Sequence, residues 1–303
     1  MNFHHLQYFW AVANDGNLTR TAKRLRIAQS ALSAQIRQLE DELGQALFSR
    51  QGRGLVLTEA GKLALSYADD IFAAGSELVS TLREGRRKTH LVRVGAVATL
   101  SRNFQRSFLR PILAQKDVRL RLSSGSFEEL LAQLMSHELD IVLSNRPAPG
   151  RDHDHVRSRR LARQPVSLVS SRKPNAFRFP DDLDRQPMIL PGSTSEIRAE
   201  FDSLCQRSGV RPRILAEVDD MATMRLFARD SDALVLVPSV VVRDELRDGL
   251  VHEVCTLSDV FESFYSLTVN RRFPHPLIGE LLTRDERALL ADQESSKKPG
   301  KKR

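Results

Sequence analysis

Only two cysteines, one tryptophan and three tyrosines occur in 303 residues. Cys205 and Cys255 stand alone, with no paired-cysteine spacing, so neither a disulfide framework nor a zinc site is expected. They read as reduced thiols; a peroxide-sensing pair is the alternative, although nothing flanking either residue recommends it. No apolar run approaches the roughly 20 residues that a membrane-spanning helix needs. The opening "MNFHHLQYFW" lacks a basic segment followed by an apolar core, so no signal peptide and a cytoplasmic location are expected. Phosphate loop, "GxSxG" elbow, dinucleotide fingerprint and metal-ligand spacing are all missing, which argues against an enzyme. No catalytic residue, resident metal or cofactor is therefore predicted.

Charge is abundant and unevenly placed. The net charge is +8, yet five of those charges sit in the last seven residues, Lys297, Lys298, Lys301, Lys302 and Arg303. The overall basicity is mostly tail. A polyanionic partner would have to be met by a local stretch of the chain.

That stretch is near the start. "HHLQYFWAVANDG" places Leu6, Phe9, Trp10 and Ala13 on one helical face, and Gly16 stops it. Asn17 caps a second helix, "LTRTAKRL", with Leu18, Ala22 and Leu25 inward. After the short "RIAQS" a third helix runs from Gln29 to Leu43, closed by Gly44. Two helices across so tight a turn read as helix-turn-helix. "LFSRQGRGLVLT" then reads as a small hairpin, or wing. From Thr58 to Lys88 one long helix carries Ala60, Ala64, Tyr67, Ile71, Ala74, Leu78 and Leu82 at threes and fours. So long a helix needs a partner along that seam, either a second copy or its own domain.

The third helix has Leu32, Ile36, Leu39 and Leu43 inward, while its outer face, Ser30, Ser33, Ala34 and Arg37, holds no acid. Acids gather only beyond it, at Glu40, Asp41 and Glu42. A helix in a major groove needs this polarity, because acid near the base edges would repel phosphates. Gln29 could read adenine bidentately, Ser30 and Ser33 could meet base edges, and Arg37 could reach guanine or phosphate. Arg20, Lys23 and Arg24 could hold the backbone, and Arg50 and Arg53 on the wing could reach phosphate or the minor groove. The plainer alternative is a solvated helical face.

Beyond Thr89 the pattern alternates. "LVRVGA", "VRLRLSS", "LDIVLS", "VSLVSS", "PMIL", "RILAEV", "ALVLVP" and "FYSLTVN" are strand-like, with "FEELLAQLMSHE", "EIRAEFDSLCQRSG" and "MATMRLFARD" helical between them. This predicts an α/β region with a largely parallel sheet. "NRPAPGRDHDHVRSRR" reads as a boundary loop, within which His153 and His155 are solvated or form a pH or metal site. The tail from about Glu294 cannot build a core and is expected to be disordered.

The stretches "LQYFWAVANDGNLTRTAKRL" and "QSALSAQIRQLEDELGQALFSRQGRGLVLTEAG" resemble the LysR-type transcriptional regulators. The likeness continues more weakly through "VRVGAVATLS", "LDIVLSNRP" and "ALVLVP". Tyr8-Phe9-Trp10, "GRGLVLTEAG" and "ILAEVDDMATMRLFA" are similar to the subgroup that activates sodium/proton antiporter genes. The resemblance implies a winged helix-turn-helix over about 1–57, a dimerising linker helix over 58–88 and an effector domain over 89–291, ahead of the basic tail at 292–303. That domain would have the type 2 periplasmic-binding-protein fold, with one α/β subdomain at about 89–163 and 265–291 and the other at about 164–264. A DNA-binding regulator is implied, an activator modulated by a small effector, with promoter DNA, RNA polymerase and further copies of itself, dimer or tetramer, as partners. An α/β enzyme would leave the first ninety residues unexplained, and a solute-binding protein would need export. Two positions depart from the family: Ala28 replaces the usual Ser or Thr cap, and Ala34 replaces a frequent Arg.

The same resemblance puts the effector between the subdomains. The candidate residues are Thr99, Leu100 and Ser101, then Ser124, Gly125 and Ser126, then Asn145, then Ser193, Thr194 and Ser195. Helix N-termini there suit anions. Asp219 and Asp220 suit the opposite charge: they either cap the helix "MATMRLFA" or face the cleft and take a cation, with sodium the example the subgroup suggests.

Overall fold

The computed structural model describes residues 1–51, 54–84, 90–150, 156–173, 177–271 and 275–290. The chain forms two compact units, each described by itself.

The first unit opens with α1 (Phe3–Asp15), α2 (Leu18–Leu25) and α3 (Gln29–Leu43). Asn2 and Asn17 cap α1 and α2 with side-chain oxygens, and Gly16 and Gly44 end α1 and α3 with positive φ. The hairpin β1 (Phe48–Gln51) and β2 (Gly54–Leu57) follows, then α4 (Glu59–Glu84). Thr58 caps α4, its hydroxyl accepting from the Gly61 amide at 2.9 Å. Leu6, Phe9, Val12, Leu32, Ile36, Leu39 and Leu47 are buried together. Each such side chain contributes about 1.5–3 kcal/mol by leaving water. Ala60, Ala64 and Ile71 of α4 pack against this core. The seam on α4 is therefore divided, part of it serving its own domain.

The second unit holds an eight-stranded sheet. Its elements are β3 (His90–Val97), α5 (Arg102–Leu113), β4 (Val118–Gly125), α6 (Phe127–Met135), β5 (Ile141–Ser144), β6 (Val156–Ser170) and β7 (Pro187–Pro191). Then come α7 (Glu196–Arg207), β8 (Arg213–Val218), α8 (Met221–Asp230), β9 (Leu234–Pro238), α9 (Arg243–Arg247), β10 (His252–Val269), α10 (Pro276–Leu282) and α11 (Glu286–Leu290). The strand order is β4-β3-β5-β10-β6-β9-β7-β8. β3 is parallel to β4 and β5, and β7 is parallel to β8 and β9. Long antiparallel β6 and β10 run through both halves and join them. The sheet is thus mixed rather than largely parallel.

β6 begins inside the stretch that reads as a boundary loop. Val156–Arg160 pair with Tyr265–Val269, while Arg157 to Arg160 stay exposed, so backbone pairing and not apolar pattern makes this strand. His153 and His155 lie outside the described residues. So do Arg53 and the basic tail.

One irregularity in α5 is resolved by a distant side chain. Pro111 has no amide to give to the Ser107 carbonyl. Arg284 Nη1 donates to that carbonyl at 2.5 Å and to the Phe108 carbonyl at 3.1 Å.

Candidate nucleic-acid interface and effector cleft

Leu32, Ile36 and Leu39 anchor α3, leaving Gln29, Ser30, Ala34 and Arg37 exposed and Ser33 half-buried; Leu43, expected inward with them, is 41% exposed in the last turn of the helix. Among them is no carboxylate. Ala28 makes no side-chain cap, so the first amides of α3 have no side-chain acceptor at that position. The outer face of α3 therefore offers amide, hydroxyl and guanidinium groups.

The basic residues of α2 divide. Arg20 donates through Nε to Asp15 Oδ1 and through Nη2 to the Asp15 carbonyl oxygen. Arg24 lies 3.8 Å from Asp15 Oδ2 and donates to the Ala11 carbonyl at 3.3 Å. The Thr21 hydroxyl, and behind it these guanidiniums, outweigh burial and hold the Asp15 carboxyl below its ordinary range. Arg20 and Arg24 thus tie α2 to the end of α1 while staying exposed, as Lys23 also is. Arg50 lies on β1 opposite Leu55 of β2, and the hairpin belongs to the same unit as α2 and α3.

On α4, Tyr67, Leu78 and Leu82 are each at least 60% exposed, Ala74 is exposed, and Leu63 and Val79 extend the apolar surface. Ile71 belongs to the domain core instead.

In the second unit the candidate cleft residues fall at strand ends. Thr99 to Ser101 follow β3, Ser124 to Ser126 end β4, and Asn145 ends β5. The Ala98 amide donates to the Gly125 carbonyl at 3.1 Å, bringing the first two groups together. Leu100 and Ser101 are buried, and Ser101 caps α5. Ser193 to Ser195 and Asp219 to Asp220 meet where β7 and β8 end; a Cβ on Gly192 would collide with the Asp219 carboxylate. Ser195 makes no side-chain cap to α7.

The two aspartates are placed differently. Asp220 caps α8, accepting from the amides of Ala222 at 3.2 Å and Thr223 at 3.0 Å and from the Thr223 hydroxyl. Burial opposes its ionisation, but these bonds and the charge of Arg102 hold its carboxyl below the ordinary value. Asp219 is exposed beside Gly192.

Sequence patterning left Glu262 unnoticed. It lies on β10 opposite Gln164 of β6, where the halves join, and is only 6% exposed. Burial and the charges of Glu196 and Glu200 push its carboxyl up to about 8, against a hydrogen bond from Asn145 that favours ionisation. Glu262 thus bonds to Asn145 of one half while facing the like charges of Glu196 and Glu200 on α7 of the other. Its signal was present: it occupies the inward register of Val260, Phe264 and Ser266. On the α5 side Asn103 Nδ2 donates to the Val241 carbonyl at 3.2 Å, and Arg106 pairs with Asp244 at 3.2 Å.

Burial pushes the Cys205 thiol up to about 11, aided by Asp202, and burial with Glu253 raises that of Cys255. A reactive thiol needs the opposite shift. Among the described residues no three His, Cys, Asp or Glu side chains group as metal ligands, and no helix is long and apolar enough to cross a membrane.

Comparison with known proteins is consistent across both units. Residues 3–62 match the family described as bacterial regulatory helix-turn-helix protein, lysR family, and residues 85–283 match the LysR substrate binding domain. The chain is 29% identical over 292 residues to the transcriptional activator protein NhaR of Escherichia coli (strain K12), covering 96% of this chain and 97% of that one. It is 30% identical over 262 residues to the HTH-type transcriptional regulator PcaQ of Agrobacterium fabrum (strain C58 / ATCC 33970), covering 83% of each. In fold it resembles Vibrio fischeri DarR, solved in complex with DNA, with a TM-score of 0.54 at 20% identity over 94% of this chain and 99% of that one. Full-length CbnR, solved with its target DNA, gives 0.50 at 24% identity over 95% and 100%. The chain belongs to the LysR family of bacterial regulatory helix-turn-helix proteins and carries both its helix-turn-helix and its substrate-binding domain.

Proposed function

We propose that the chain is a cytoplasmic, DNA-binding transcriptional activator that enters a promoter major groove with α3 and is switched by a small effector held between the two halves of its second unit. The acid-free outer face of α3 carries the reading: Gln29, Ser30, Ala34 and Arg37 are exposed together with no carboxylate among them. Tyr67, Ala74, Leu78 and Leu82 would seat a second copy along α4, as a dimer or within a tetramer, because apolar surface of that extent is costly to leave in water. RNA polymerase is the further partner this role requires. The 29% likeness to NhaR, an activator, supports activation over repression.

The effector proposed is a small cation such as sodium. Asp219 is an exposed carboxylate beside Gly192, next to the hydroxyl-bearing Ser193, Thr194 and Ser195. A hard cation there would take carboxylate, hydroxyl and backbone oxygens together. Thermal melting in sodium chloride against choline chloride tests this part, with Asp219→Asn expected to abolish a sodium-specific shift.

Binding of the full chain to promoter fragments at graded salt tests the main reading. Steep loss of affinity with salt is expected, and Arg37→Ala should weaken binding at every salt concentration. Absence of binding at low ionic strength would refute it.

A further inference from the structure

The residue that begins α3 does not stand alone. Thr19, the second residue of α2, donates its hydroxyl proton to Gln29 Oε1 at 3.0 Å, and both residues are exposed. Neither is needed elsewhere in the local structure. Asn17 already caps α2 by accepting from the Arg20 amide at 3.0 Å, so the Thr19 hydroxyl is not required as a cap. Ala28 supplies no side chain at the start of α3 that could draw the Gln29 amide back onto the helix end. The β-branched Thr19 has few rotamers on a helix, so its hydroxyl is a stiff anchor for the longer glutamine.

The consequence concerns which half of the amide is offered outward. Reading adenine bidentately uses both ends of a glutamine: Oε1 accepts from the adenine amino group and Nε2 donates to N7. A planar amide carries its oxygen and nitrogen on opposite sides of Cδ. An oxygen turned toward α2 turns the two Nε2 donors away from it. Guanine sets two acceptors, N7 and O6, side by side before such a donor and thymine offers O4, whereas adenine places its N6 amino donor beside N7, where it opposes an amide that presents only N–H groups.

We propose that Thr19 is a specificity-determining positioning residue, which holds Gln29 as a hydrogen-bond donor and directs it to guanine or thymine rather than adenine. This inference rests on the DNA-binding reading above and adds to it which base edge α3 selects at one position.

The test is selection from a randomised duplex pool by the full-length chain and four variants, each checked by thermal melting. Gln29→Ala identifies the operator position that Gln29 reads, as the one at which base preference flattens. At that position the wild type should favour guanine or thymine. Thr19→Val and Thr19→Ala, which lack the hydroxyl, should raise the relative frequency of adenine there by about fivefold or more, the lower end of what one good bidentate pair discriminates. Every other position should keep its profile, and Thr19→Ser should restore the wild-type preference. The alanine variant carries the test if valine disturbs folding, because alanine is the most favourable residue in an exposed helix. A wild type that selects adenine at the Gln29 position would overturn the proposal. So would hydroxyl-less variants with an unchanged profile, or with equal losses at every position, since those outcomes leave Thr19 only a structural role. If the wild type enriches no sequence, the DNA-binding reading itself fails; if it enriches a sequence that Gln29→Ala leaves unaltered, only this inference fails.

Discussion

Trp10 donates its indole N–H to Asp69 Oδ1 at 2.6 Å, which hydrogen-bonds the first helix of the chain to the long helix that follows the hairpin. The Trp10 ring also lies 5.3 Å from that of Phe72, at a tilt of 51°. Sequence patterning gives Trp10 to the core of the three-helix unit; the structure gives it a further task, fixing the direction in which α4 leaves that unit. Trp10→Phe keeps an aromatic ring but removes the donor from a charged acceptor. It should lower the stability of the first unit by about 1.5–3 kcal/mol in chemical denaturation, the range for bonds to charged groups. A loss below a few tenths of a kilocalorie would mean that water replaces the bond without cost.

Gly61 lets α4 approach the hairpin closely, at Leu47 just before β1 and at Leu57 of β2. In an exposed helix, alanine is more stable than glycine by about 1 kcal/mol. At Gly61 the sign should reverse, because a Cβ would collide with the Leu47 carbonyl and press on the Leu57 side chain. Gly61→Ala should therefore lower the melting temperature of the first unit, at a cost of about 1–3 kcal/mol for overpacking. An unchanged or raised melting temperature would show that α4 can move away from the hairpin freely.

Arg284 supplies the donors that Pro111 leaves missing on α5. Arg284→Met keeps much of the aliphatic stem while removing both bonds. It should destabilise the second unit by about 1–3 kcal/mol, the cost of leaving buried acceptors unmet. Equilibrium denaturation followed by a probe in the second unit measures this directly.

The local signals of the first unit were legible because they are short-range. Asn17, Gly16 and Gly44 mark helix ends through their own backbone preferences, and the apolar stripe of α3 needs only a period of 3.6. In the second unit such signals fail where pairing is long-range. β6 starts in a run of arginines, and β10 carries a register shift between Leu257 and Phe261 that breaks its alternation. The candidate strand-end turns are found at the ends of β3, β4, β5, β7 and β8, but Glu262 is recognised only once β10 lies against β6. Arg20 and Arg24 show the same limit. Their charge is visible in the sequence, while their acceptor, Asp15, is fixed by how α1 turns into α2.

Glu262 makes stability depend on pH with a defined sign. Its carboxyl titrates near 8 in the folded chain against an ordinary 4.5, so the folded state holds a proton that the unfolded state has released. The stabilisation is complete below the ordinary value and declines as pH rises from about 4.5 toward 8. Each pH unit within that window removes up to about 1.4 kcal/mol. Glu262→Gln, neutral at every pH, should flatten this part of the profile. A variant profile parallel to that of the wild type would place the titrating group elsewhere.

A photo-activatable cross-linker tests directly whether α3 lies in a DNA groove. Placed at Ala34, in the middle of the exposed face, it should capture a base of a bound promoter duplex. At Leu43, 41% exposed at the far end of the same helix, it should capture none. Equal capture at both positions, or capture at Leu43 alone, would contradict the account.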